Sequence, residues 1–158
     1  MTDRKPPRGR SAAIADDWMP PKKLERRAVR AMAASATGDP ETAIRHAAYI
    51  ADRWDRMGVL TACARWAETI RLLSSDLAGP GAHGFEMHAN GQPVNPDSLG
   101  ADMAGLVWAS RFVAAWANRD SDAAGALVYR VDSDALLDGM ACLLVMAGQA
   151  VSAAGGIR

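Results

Sequence analysis

The sequence has few of the residues that build disulfide scaffolds or redox sites. Only two of its 158 residues are cysteine, and aromatic residues make up 6%. Cys63 and Cys142 are isolated in sequence, which excludes a disulfide framework and a Cys-x-x-Cys motif. A free cysteine within an apolar helical pattern usually behaves as a small hydrophobic residue. This cysteine usage fits a reducing, cytoplasmic compartment best.

A long uninterrupted apolar run is also missing. Residues 1–10 are charged and Pro-rich, so they lack the apolar core of a signal peptide. The most apolar stretch, residues 139–151, is thirteen residues long, whereas a membrane-spanning helix needs about 20. We therefore expect neither secretion nor a membrane anchor.

No catalytic or cofactor-binding motif is present in the order of residues. The glycines between positions 79 and 84 follow a helical pattern instead of joining a strand to a helix, so they do not form a phosphate loop. His83, Glu86 and His88 are a candidate metal-binding loop, but they lack the His-Glu-x-x-His spacing that places two ligands on one helical face. We expect no enzyme activity, cofactor or small-molecule substrate, and the metal question stays open.

What the sequence does contain is apolar residues at helical spacing along most of its length. Gly38, Asp39 and Pro40 are typical of one helix ending and the next beginning. Gly58 predicts a bend or short turn, and Ser133 is a candidate cap for the final helix. The predicted helices cover residues 22–36, 40–57, 59–77, 99–117 and 123–131, and a final helix follows Ser133. These patterns predict an all-α fold, a helical bundle or helical-repeat-like array of about six helices.

Residues 84–95 interrupt the helical pattern. Asn90 and Gly91 favour the positive backbone torsions of a tight turn, and the residues on either side can pair as short strands. The sequence predicts a small loop or β-hairpin insertion here.

Residues 136–151 are the stretch that the other helices must enclose. Only Asp138 and Gln149 carry strongly polar side chains there, and a helix that is apolar all round is normally buried. We expect this helix at the centre of the bundle, with Asp138 and Gln149 at its ends or bonded to partners. If part of it is exposed, a homodimer is the simplest way to cover it.

The predicted domain organisation is a flexible basic arm at residues 1–21 followed by a single helical domain at residues 22–156. A shift of 81 positions aligns Arg30 with Arg111, Asp39 with Asp120 and Gly58 with Gly139. The candidate halves are residues 22–78 and 96–154, although matches between alanines carry little weight in so Ala-rich a chain.

Charge is unevenly distributed, although 18 basic residues balance 18 acidic ones overall. Residues 1–30 hold nine Lys and Arg against four Asp and Glu, an excess of five positive charges. Such an arm favours an acidic or nucleic-acid partner, or contact with the acidic remainder of the chain. The candidate phosphate-contacting residues are Arg4, Lys5, Arg8, Arg10, Lys22, Lys23, Arg26, Arg27 and Arg30.

Our preferred interpretation is a non-enzymatic helical binding or assembly protein, an adaptor or regulator that holds a protein partner or a second copy of itself. Trp18, which follows Asp16 and Asp17, is a candidate anchor for a partner groove. Arg53, Arg56 and Arg65 are candidate rim residues of an interaction surface. The alternative is an accessory nucleic-acid-binding regulator that uses the basic N-terminal arm.

Overall fold

The computed structural model describes residues 21–74, 87–89, 92–94 and 100–155. It is an all-α fold, as the sequence predicts, with compact packing of its helices. Within the described residues the helices are α1 (Lys22–Ala36), α2 (Pro40–Arg53), α3 (Arg56–Leu73), α4 (Ala104–Ala117), α5 (Ser121–Tyr129) and α6 (Ser133–Ala153).

The turn between α1 and α2 confirms its sequence signature. Gly38 has a φ of +80°, in the left-handed region that favours glycine at a helix end. The carboxylate of Asp39 accepts a hydrogen bond from the backbone N–H of Thr42 at 3.2 Å, and Pro40 is the first residue of α2. These residues therefore end one helix and begin the next.

The boundary between α2 and α3 lies earlier than Gly58, so that prediction was wrong. The backbone turns at Trp54 and Asp55, and the Asp55 carboxylate accepts from the N–H of Gly58 at 3.0 Å, which makes Asp55 the N-cap of α3. Gly58 lies inside the first turn, where an added Cβ would come within 2.5 Å of the Trp54 Cβ. Glycine is needed there for close packing and not for a break.

Two further helix starts differ from the sequence-based prediction. Residues Ala101–Met103 form a short 3-10 turn, so α4 begins at Ala104 instead of at Leu99. The N-cap of α6 is Asp132, whose carboxylate accepts from the N–H of Ala135 at 2.9 Å, and Ser133 is the first helical residue. A carboxylate at this position also interacts favourably with the helix dipole.

In the region of the predicted insertion, two short strands are paired. Strand β1 (Met87–Ala89) and strand β2 (Gln92–Val94) are antiparallel, with Met87 opposite Val94 and Ala89 opposite Gln92. Asn90 and Gly91, the predicted turn, lie outside the described residues.

Helix α6 occupies the centre of the bundle and packs against α1, α2, α3 and α4. Its buried face includes Leu136, Met140, Leu143, Leu144 and Ala147. Asp138 and Gln149 lie on its exposed face together with Val145, so they are solvated and not confined to the helix ends. A narrow polar strip therefore exists where the sequence showed no polar face.

Helix α6 extends beyond the thirteen-residue apolar stretch that the sequence shows. Helix α6 has 21 residues, with a mean hydropathy of 1.6 over its most apolar window. By length and composition it is the one helix in the described part of the chain that is able to cross a membrane, and 44% of that window is buried inside the bundle.

The turn joining α4 to α5 repeats the hydrogen bonds of the turn joining α1 to α2 at a distance of 81 positions. Arg119, with a φ of +56°, takes the place of Gly38, and Asp120 caps α5 as Asp39 caps α2. In the first turn the backbone N–H groups of Thr37, Gly38 and Asp39 donate to the carbonyls of Ala33, Ser35 and Ala34, respectively. In the second turn the N–H groups of Asn118, Arg119 and Asp120 donate to the carbonyls of Ala114, Trp116 and Ala115.

Helix packing shows the same repetition. Helix α1 packs on α6, its counterpart α4 packs on α3, and α3 and α6 pack on each other. Reciprocal contacts of this kind are the pattern of two units related by a two-fold axis. The last helices of the two candidate halves, α3 and α6, depart from the shift of 81. Their N-caps Asp55 and Asp132 are 77 positions apart, because α5 is shorter than α2. The repetition is therefore limited to the two turns and to the pattern of helix contacts.

Candidate binding groove on helices α1 and α3

Helix α1 separates its apolar and basic residues onto different sides. Leu24, Ala28 and Ala31 are buried against the bundle, whereas Lys22 and Arg26 are exposed. The indole Nε1 of Trp66 in α3 donates to the carbonyl of Ala28 at 2.9 Å. This buried hydrogen bond joins α3 to α1.

Four cations line a hollow between these two helices, which we call the basic groove. Lys22, Arg26 and Arg30 come from α1 and Arg65 comes from α3, and the hollow has a volume of about 470 Å³. The three α1 residues are four positions apart, hence about 6 Å apart along the helix axis. Glu25 is the acidic residue in the lining, so the groove has a strong excess of positive charge.

A smaller hollow, which we call the apolar pocket, adjoins the basic groove and shares Glu25 and Arg65 with it. Its volume is about 230 Å³. Since a cavity of about 150 Å³ holds a benzene molecule, this pocket has room for one large aromatic or aliphatic side chain. Its apolar lining comes from α1, α3 and α4 and includes Leu24, Ala28, Ala62, Ala64 and Trp116.

The boundary between the two hollows is an ion pair. Arg65 Nη1 lies 3.5 Å from Glu25 Oε1, and both side chains are about half exposed, at 52% and 45%. Ion pairs of this exposure contribute about 0–1 kcal/mol. The pair therefore opens readily if a stronger anion approaches Arg65.

Glu68 also lines the apolar pocket. Its carboxylate accepts from Arg71 at 2.6 and 3.0 Å and from the Trp116 indole Nε1 at 2.7 Å. The hydrogen bond from Arg71 is the main cause that lowers the pKa of Glu68 below its usual value, with further lowering by Trp116. These contacts hold the Trp116 ring in place at the pocket wall.

The other basic residues of α1 do not line the groove. The guanidinium of Arg27 lies 3.9 Å from the centre of the Tyr49 ring, and its Nη1 donates to His46 Nδ1 at 3.1 Å. Burial and the neighbouring arginines lower the pKa of His46. Lys23 is exposed outside both hollows. Of the predicted α1 cations, Lys22, Arg26 and Arg30 thus converge, and Lys23 and Arg27 do not.

The candidate rim arginines are also divided. Arg65 belongs to both hollows, while Arg53 is exposed at the end of α2. Arg56 donates to the carbonyl of Val128 at 3.0 Å and to Ser133 Oγ at 3.4 Å, so it links α3 to the other half of the bundle. Trp18 and the arm residues Arg4, Lys5, Arg8 and Arg10 lie outside the described residues.

Sequence reasoning did not identify Glu25, Glu68 and Trp116 as part of one site. The helical phase places Glu25 and Glu68 beside the buried faces of α1 and α3, but the apposition of α4 is a tertiary property that one sequence does not show. In retrospect, Trp116 four residues before Asp120 is a weak signal, because a large aromatic residue near a helix end often packs on a neighbouring element.

The described residues give no support for a reactive cysteine at position 63 or for a metal-binding group. Cys63 is fully buried, and desolvation raises the pKa of its thiol well above the usual range, so it stays protonated and unreactive. Cys142 is only half-buried. Within residues 21–74 and 100–155, no three His, Cys, Asp or Glu side chains form a group able to hold a metal ion. Of the candidate loop, His83 and Glu86 lie outside the described residues, and His88 belongs to β1.

No protein-family model, curated protein or solved structure matches the chain.

Proposed function

We propose that the protein is a non-enzymatic adaptor or regulator whose basic groove and apolar pocket together bind an acidic, amphipathic segment of a protein partner. The observation that carries the proposal is the adjacency of four cations and an apolar hollow across the Glu25–Arg65 pair. Carboxylates of the partner meet Lys22, Arg26 and Arg30, and one apolar side chain enters the pocket. This combination matches the pattern of a buried apolar anchor surrounded by a charged rim.

The apolar pocket favours a peptide over nucleic acid. Phosphate binding requires cations and no neighbouring apolar hollow, and the polar edges of a nucleobase would lose hydrogen bonds in a hollow lined largely by Leu24, Ala28, Ala62 and Ala64. The row of Lys22, Arg26 and Arg30 nevertheless provides three cations on one helix face, which is the observation that supports the alternative of an accessory nucleic-acid-binding regulator.

The homodimer is a separate proposal, and it has a weaker physical motive than the sequence suggested. Its motive was the apolar circumference of α6, which four other helices partly enclose. Val145, at 44% exposure, is the large apolar residue of α6 that stays exposed. Measurement of molecular mass over a range of protein concentrations tests it.

The binding proposal is tested with synthetic ligands. The first is a helical peptide of about 15 residues, the length at which an isolated helix is marginally stable, with Asp and Glu on one side and a single Trp anchor. Its control has Ala in place of the anchor, and a short single-stranded oligonucleotide is the phosphate probe. Fluorescence anisotropy at low and physiological salt measures all three.

We expect the Trp peptide to bind at least about tenfold more tightly than its Ala control, because burial of a large apolar side chain contributes about 1.5–3 kcal/mol. Tighter binding of the oligonucleotide than of the Trp peptide at physiological salt would replace this proposal with the nucleic-acid alternative. Equal binding of the two peptides would remove the role of the apolar pocket.

A further inference from the structure

The chain itself contains a segment with the chemistry that the groove selects. Residues 11–19 carry two adjacent carboxylates, Asp16 and Asp17, directly before the large aromatic Trp18. The apolar pocket has room for one large aromatic side chain, and the adjoining groove presents Lys22, Arg26, Arg30 and Arg65. Charge and size are therefore complementary between this segment and the two hollows.

The segment is also tethered within reach of them. Pro21 is the N-cap of α1 with extended torsions of −56° and 137°, and Trp18 precedes Lys22 by four residues, a span of at most about 14 Å. Leu24 and Ala28 of the pocket lie only two and six residues into α1, about 3 and 9 Å along its axis. Short tethers of this kind give effective concentrations of about 1 mM.

We propose that residues 11–19 of the same chain occupy the basic groove and the apolar pocket in the free protein, with Trp18 in the pocket and Asp16 and Asp17 facing the cations. This inference rests on the proposed function, because it takes the same site as a binding site for acidic, amphipathic segments. The segment acts as an internal competitor. A partner must displace Trp18 before it can bind. Its apparent Kd is therefore higher than its Kd for the empty site, by a factor about equal to the effective concentration of the segment divided by the Kd of the free segment.

The test uses the full-length chain and a synthetic peptide of residues 11–19 as the probe. The variants are Trp18→Ala, Asp16→Asn with Asp17→Asn, and the matched control Asp3→Asn, which removes an acidic residue outside the segment. If the free segment has a Kd of about 100 μM, an effective concentration of about 1 mM weakens probe binding to the wild type about tenfold. We expect the Trp18→Ala chain to bind the probe about tenfold more tightly than the wild type, and Asp3→Asn to match the wild type.

Three results overturn the inference. Equal probe affinity for wild type and Trp18→Ala shows that Trp18 does not occupy the site, and absence of binding to every chain shows that the segment is not a ligand. A mass that doubles with concentration in the wild type, but not in Trp18→Ala, shows that the segment binds a second copy instead. In each case the designed Trp peptide is measured in parallel: if it still binds, the proposed function stands and only the internal occupant is wrong.

Discussion

Arg65 and Glu25 form the boundary between a hollow lined by cations and a hollow lined by apolar side chains, with their charged atoms 3.5 Å apart. Glu25 both orients Arg65 and opposes any incoming carboxylate. Replacement of Glu25 by Gln is therefore expected to strengthen binding of the acidic Trp peptide by about threefold, since repulsion is removed and Arg65 is released.

The stability of the Glu25→Gln chain is expected to stay within about 0.5 kcal/mol of the wild type, because the pair is half exposed. Peptide titration followed by anisotropy, together with urea unfolding, measures both effects. Weaker binding in Glu25→Gln would show that this carboxylate positions the ligand instead of repelling it.

The helix crossing between α4 and α6 gives a prediction about the core. A Cβ added at Gly139 would meet ring carbons of Trp108, whose Nε1 donates to the carbonyl of Leu127 at 2.8 Å. Gly139→Ala is expected to lower the free energy of unfolding by about 1–3 kcal/mol, although alanine is the better helix former. Denaturant unfolding checks this value.

The Trp108→Phe change supplies the control for Gly139→Ala. A smaller ring makes room for the new methyl group, so the double variant is expected to lose less stability than the sum of the two single variants. Additive losses would place the strain elsewhere.

The two equivalent turns give a prediction that distinguishes Gly38 from Arg119. Both residues are left-handed, with φ of +80° and +56°, but only one is glycine, and this conformation is unfavourable for other residues by about 1–2 kcal/mol. Arg119→Gly is expected to raise the free energy of unfolding by about 1 kcal/mol. The matched control is Arg130→Gly at the end of α5, where φ is −102° and glycine is expected to destabilise by about 0.5–1 kcal/mol. The same sign of change at both positions would argue against strain at Arg119.

The pKa of Glu68 predicts how stability depends on pH. Hydrogen bonds from Arg71 and Trp116 lower this pKa in the folded protein relative to the ordinary value of 4.5, so the unfolded chain takes up the proton first as the pH falls. The stabilisation is present above pH 4.5 and is lost as the pH falls toward the pKa of the folded state. Unfolding measured between neutral and acidic pH is expected to show that the stability advantage of wild type over Glu68→Gln shrinks on acidification. An advantage independent of pH would show that the carboxylate charge is not its cause.

The local signals of the chain predicted more than its long-range contacts. Gly38, Asp39 and Pro40 act within a few residues of one another, so their sequence order is enough to place a turn. The predicted boundary at Gly58 was wrong because Asp55 caps α3 three residues earlier and Trp54 leaves no room for a Cβ at Gly58. A glycine in the sequence does not by itself distinguish a helix break from close packing. The central position of α6 follows from its composition, whereas its exposed strip with Asp138 and Gln149 depends on which neighbours enclose it.

The candidate site shows the same division. A cluster of cations near the start of α1 is visible in the sequence, but its separation into groove residues such as Arg26 and residues turned toward α2 such as Arg27 depends on the positions of α2 and α3. The convergence of Arg65 and Trp116 with Leu24 is a product of tertiary packing, and no spacing along the chain encodes it.

The most direct test of the account compares charge reversal inside and beside the basic groove. Arg26→Glu and Arg30→Glu change residues that line the groove, and Lys23→Glu makes the same change of net charge on the same helix outside it. Affinity for the acidic Trp peptide is measured at physiological salt, where charges more than about 8 Å apart are largely screened. We expect at least about tenfold weaker binding for Arg26→Glu and Arg30→Glu, and less than about threefold weaker binding for Lys23→Glu. Equal losses in all three variants, or no loss in any, would contradict it.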